Sequence, residues 1–203
     1  MAWFCPPCAS IAQRRTPRPG ATLVFAAALA GSLALAGHAG AGEDIEGTVH
    51  LAADMLHLVA AAAWVGALVP LALLFHAANN GEAIAVAREA TRRFSIMGMA
   101  SVGTILATGI VNTYVLAGSI PALLGTEYGR LVLVKVSLFF VMVSIAAINR
   151  QLLTPRLVQE RDAADAALAL RRLRTNCLIE AGLGAIILVV VAILGTLPPG
   201  LQE

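Results

Sequence analysis

Charge is scarce in this sequence. Asp, Glu, Lys and Arg make up 13% of its 203 residues, about half the ~25% usual in soluble domains, while apolar residues reach 59%. A mean hydropathy of +0.82 excludes a water-soluble globule. Aromatics are few, at 5%, and no basic patch carries interleaved aromatics, so nothing points to nucleic acid as a partner. Apolar runs the length of a single membrane β-strand are missing too: the runs present are far longer, which excludes a barrel. Only three cysteines occur, and they imply no disulfide framework.

What is present is Ala- and Leu-rich sequence in five stretches, roughly 21 to 38, 50 to 76, 95 to 117, 130 to 148 and 176 to 197. Each is long enough to cross ~30 Å of hydrocarbon at 1.5 Å per residue. The pattern predicts an all-α, polytopic bundle of five transmembrane helices. Twelve of the fourteen Lys and Arg residues fall in three segments, before the first span, between the second and third, and between the fourth and fifth. The excess of positive residues marks these segments as cytoplasmic, which places the N-terminus inside and the C-terminus outside. Arg14 and Arg15, an apolar stretch and Ala39-Gly40-Ala41 also describe a secretory signal peptide, whose cleavage would leave four helices in the same orientation.

The cytoplasmic segments are not plain loops. Residues 81 to 94 and 155 to 174 are rich in Ala, Glu and Arg and are expected to extend helices into the cytoplasm or lie along its interface. Pro155 fits the first turn of the second. Residues 1 to 20 form a separate cytoplasmic segment with Cys5 and Cys8 in a Cys-Pro-Pro-Cys arrangement, a spacing open to a soft metal or a redox pair. Cys177 reads as a packing residue.

Polar residues inside spans are costly and mark candidate function. His50, Asp54 and His57 are four and three residues apart, which puts them on one stripe of the second span near its outer end. His38 closes the first span, so three of the four histidines cluster at the outer surface. Imidazole suits copper, zinc, nickel and iron, and a neighbouring carboxylate can ligate or orient the ring. His50 and His57 are ~10 Å apart along a helix, too far to chelate one ion unaided. Two weak sites in a ladder fit better, completed by His38; the blander alternative makes the histidines interface anchors and pairs Asp54 with Lys135. Asn112 is a further polar residue in the third span. Glu180, one turn into the fifth span, is expected to pair with Arg93 or Arg150, or else to act as a release-side ligand or proton relay.

Residues 37 to 74, with Gly-His-Ala followed by His50, Asp54, His57 and the Trp64-x-Gly66 motif, resemble the middle of the copper resistance protein D (CopD) family. The segments starting at Arg92, Thr126, Asn149 and Ile179 resemble its C-terminal membrane domain, so that residues 21 to 199 read as one CopD-like domain. The resemblance implies a multi-pass protein of the bacterial inner membrane, not an enzyme, that takes up copper from the periplasm alongside a CopC-type partner. It makes His38, His50, Asp54 and His57 the copper candidates, with Trp64 and Gly66 as scaffold, and marks Tyr128, Gly129, Lys135, Arg150 and Glu180 as family-pattern positions. Relatives commonly have about eight helices, so a homo-oligomer is one expectation for this shorter chain. The alternative cofactor is haem b in a redox protein, for which His57 would be one axial ligand.

Overall fold

The computed structural model describes residues 19–36, 45–117, 119–159 and 163–197. Helix α1 covers Pro19–Ser32 and tightens into a 3-10 turn over Leu33–Ala36; α2 covers Ile45–Ala77, α3 Gly81–Ala117, α4 Ile120–Gly125 and α5 Glu127–Ile148. A π turn over Asn149–Leu153 leads into α6, Thr154–Gln159, and α7 covers Ala163–Leu194. Among the described residues there is no strand. The protein is an all-α membrane bundle in which α2, α3, the α5-to-α6 run and α7 are long and apolar enough to span.

Two differences from the sequence reading concern lengths. The first expected span is a shorter apolar helix, and the connection after it, with His38, lies outside the described residues, as do Cys5 and Cys8. The segment between the third and fourth expected spans contains the six-residue α4, because Ser119 Oγ accepts from Ala122 N at 3.2 Å and starts a helix there. The arginine-rich segments behave as expected. Residues 81 to 94 form the first turns of the continuous α3, started by the Asn80 side chain, which accepts from Ala83 N at 2.9 Å. Pro155 sits in the first turn of α6, directly after the π turn.

Helix α2 is the centre, packed against α3, α7 and α1; α5 packs on α7, and α4 caps the start of α5. One face of α2 carries Trp64, Leu68, Leu71, Ala72 and Phe75, spaced at three and four residues and all buried. Trp64 meets Phe139 of α5 edge to face, with ring centroids 6.0 Å apart at 87°. Outward faces carry large apolar side chains such as Leu73, Ile110 and Leu188, which lipid solvates as well as a protein core would.

Gly184 lets α7 approach α2 closely. A Cβ there would stand 2.8 Å from Val65 Cγ1, so Gly184→Ala is expected to cost about 1 to 3 kcal/mol of overpacking. Val65→Ala in the same chain should recover most of that loss in a thermal melt in detergent, because the clash is with a side chain that can be shortened.

Apart from Arg130 in the first turn of α5, the arginines of the described residues gather at one end of the bundle. Arg88 Nε donates to Leu157 O at 2.7 Å, tying α3 to α6, and Arg150 Nη1 donates to Ser95 Oγ at 2.5 Å, tying the π turn to α3. Arg92 and Arg93 both bind Glu89.

Candidate functional site

The buried stripe of α2 changes character along its length. Toward the arginine-rich end it is aromatic and aliphatic; toward the other end the same stripe continues through Ala60 and Ala53 to His57, Asp54 and His50. The small alanines leave room for α3 to bring polar partners level with these three side chains. Because α3 runs antiparallel to α2, Thr108 comes opposite His57 and Asn112 opposite Asp54.

Each contact has a defined polarity. Asn112 Nδ2 donates to Asp54 Oδ1 at 3.0 Å, which fixes the orientation of that amide and turns its oxygen away from the carboxylate. Thr108 Oγ1 spends its single proton on Thr104 O at 2.6 Å, so its 2.9 Å contact with His57 Nδ1 has the imidazole as donor. His57 is therefore the Nδ1–H tautomer, assigned from the network, and its Nε2 keeps a lone pair. A ring nitrogen held by a second group while the other carries the lone pair is the arrangement found behind metal-ligating histidines. Gly109 lies against the ring, where a Cβ would sit 3.5 Å from Cε1.

Two buried polar atoms near Asp54 have no protein partner. These are Nδ1 of His50, which is 5% exposed, and Oδ1 of Asn112. Buried polar atoms are nearly always paired, so both call for a water or an ion. Lys135 of α5 lies within electrostatic range of Asp54 and His57, and Tyr128 within range of Asp54. No ion pair within 4 Å joins Lys135 to Asp54 among the described residues; Asn112 occupies the carboxylate instead.

The structure thus brings His50, Asp54 and His57 onto one face of α2, His50 buried and the other two half-buried, while His38 lies outside the described residues. Among the described residues no three His, Cys, Asp or Glu side chains converge on one point, in keeping with the ~10 Å axial span of the ladder. Thr108 escaped the sequence reading, since a threonine in an apolar run carries no signal until the register of α2 and α3 is known. Its one available clue was the α-helical position opposite His57 in an antiparallel hairpin with a three-residue connection.

A second polar group sits near the arginine-rich end. Glu180, 1% exposed, accepts at Oε1 from Asn149 Nδ2 at 2.8 Å, and Asn149 Oδ1 accepts from Asn176 Nδ2 at 2.6 Å. The expected arginine partner is replaced by amides. Arg150 and Arg93 are engaged with Ser95 and Glu89, and at the end of α5 Asn149 faces α7 while its neighbour Arg150 reaches α3.

A family model described as copper resistance protein D matches residues 88–194, more than half of the chain. The chain belongs to the copper resistance protein D family. The inner membrane protein YebZ of Escherichia coli (strain K12) is 36% identical over 186 residues, covering 90% of this chain and 61% of YebZ. Copper resistance protein D of Pseudomonas syringae pv. tomato is 31% identical over 191 residues, covering 91% and 62%. The copper transport protein CutJ of Bacillus subtilis (strain 168) is 37% identical over 129 residues, covering 64% of this chain and 24% of CutJ. This copper resistance protein D homologue spans about three fifths of the length of the first two relatives. No solved structure matches it. The family model takes in Asn112, Lys135, Asn149 and Glu180, whereas His50, Asp54 and His57 precede it and fall in the part shared with the longer-matching relatives.

Proposed function

We propose that this chain handles copper in the bacterial inner membrane, admitting the ion from the periplasmic face toward the cytoplasm. The observation that carries the reading is the contact behind His57: a half-buried imidazole whose Nδ1 lies 2.9 Å from Thr108 Oγ1, one turn from the carboxylate of Asp54. His50, with an unpartnered buried nitrogen, forms the outer step of the ladder, and His38 is the additional ligand assigned to its mouth. Weak, successive sites suit an ion that must enter and leave. Copper is cargo on this reading, and the chain is a transport protein, not an enzyme. The names of the relatives from Pseudomonas syringae and Bacillus subtilis support copper as the ion. A CopC-type periplasmic donor and self-association to complete a pathway belong to the same proposal, as does the division into a segment over 1–20 and a membrane domain over 21–199.

The test is uptake into sealed vesicles. Vesicles holding the purified chain should accumulate copper faster than empty ones, and equal rates would sink the reading. A finer check is Thr108→Val, which removes the acceptor behind His57 without touching a ligand. Loss of such a partner costs about 10- to 100-fold in metal affinity, so copper titration of the detergent-solubilised variant should weaken by that factor.

A further inference from the structure

Near the arginine-rich end, helices α2, α3, α5 and α7 and the π turn line a half-open cavity of about 370 Å³. Its wall is largely apolar, with Trp64, Phe75 and Val143 among the lining residues, yet Glu180 and Cys177 both open onto it. They are three residues apart on α7 and so share a face. Glu180 is 1% exposed, one carboxylate oxygen is satisfied by Asn149, and the other, Oε2, has no protein partner. A carboxylate removed from water costs several kcal/mol unless something compensates it. Among the described residues no basic side chain hydrogen-bonds to it or pairs with it: Arg150 lines the same cavity but donates to Ser95, and Arg92 and Arg93 are bound to Glu89.

We propose that Glu180 Oε2 and Cys177 Sγ form an inner station for monovalent copper on the release side of the bundle. Thiolate is the soft ligand that selects Cu(I), and Cys177 is the free cysteine among the described residues. Binding forms an S–Cu bond and expels the thiol proton to solvent, with no change of oxidation state. The ion's charge is balanced by the new thiolate, and what Glu180 gains is a partner for its orphaned Oε2. Asn149 holds Oε1 and thereby turns Oε2 to the cavity, and Asn176 fixes Asn149 in that orientation. A set of two protein ligands binds more weakly than a closed site, as release demands. The choice of copper as the ion rests on the function proposed above; the placement of a cation at Glu180 rests on the orphaned oxygen and the cavity.

The experiment uses the full chain with Cys5→Ser and Cys8→Ser, so that Cys177 is the remaining thiol. Anaerobic Cu(I) titration against a chromophoric chelator should reveal one equivalent whose affinity falls at least about tenfold in Cys177→Ser and again in Glu180→Gln, with His57→Ala leaving it in place. X-ray absorption of the loaded protein should show a sulfur ligand that vanishes in Cys177→Ser. Absence of that ligand from the unsubstituted Cys177 protein overturns the station whatever the variants do, as does an affinity indifferent to both substitutions. The two readings fail separately. Vesicle uptake without a Cys177-dependent equivalent removes the station alone, whereas that equivalent without uptake removes the transport reading alone.

Discussion

Replacing His57 by alanine is expected to lower copper accumulation at least about tenfold in cells, with the amount of membrane-inserted protein unchanged. The estimate follows from the ligand's position: losing only the group behind a metal-bound imidazole costs about 10- to 100-fold in affinity, and losing the imidazole itself removes the lone pair. Abundance should hold because the ring is partly exposed and faces Gly109 and Thr108 across a helix pair whose remaining packing is untouched. His76→Ala supplies the control. His76 is exposed at the arginine-rich end of α2, on the far side of the buried stripe's histidines, and its loss should leave accumulation as it was. Copper content measured per unit of protein across His50→Ala, His57→Ala and His76→Ala decides the matter: three equal values would count against the ladder.

The fold was legible where the physics is one-dimensional. Hydrophobic length marked α2, α3, α5 and α7, and arginine placement grouped the ends that Arg88 and Arg150 now join. The stripe through His50, Asp54 and His57 was legible for the same reason, since all three belong to one helix. What lay beyond reach was the rotation and register of one helix against another. A membrane helix is apolar around its whole circumference, so its sequence does not announce which face meets a neighbour. Asn112 could be picked out as polar in a span, but its pairing with Asp54 and not Lys135 depends on the register of the α2–α3 hairpin. Glu180 shows the limit more sharply. Charge balance favoured an arginine partner, yet which of two adjacent residues faces α7 is set by the rotation of α5 about its axis, which sends Asn149 to Glu180 and Arg150 to α3.

The largest expected structural effect lies far from any histidine, at Gly129. A Cβ on this residue would collide with the backbone of Leu123, carbonyl and Cα included, because α4 folds directly onto the first turn of α5. That fold is itself tightly specified. Thr126 Oγ1 donates to Ala122 O at 2.8 Å and accepts from Gly129 N at 3.0 Å, so one hydroxyl closes α4 and opens α5. Gly129→Ala cannot be relieved by trimming a side chain, in contrast to Gly184→Ala; α4 must leave its seat. Overpacking ordinarily costs about 1 to 3 kcal/mol, and a backbone clash belongs at or above the top of that range. Displacing α4 would also loosen Tyr128 and Val132, which pack with Val190 and Leu194 at the end of the bundle where His50 lies. The thermal midpoint in detergent should therefore fall further for Gly129→Ala than for Gly184→Ala, with no recovery on adding Leu123→Ala. A midpoint that Leu123→Ala restores would show the contact to be made by the side chain, and the account of this corner would have to be abandoned.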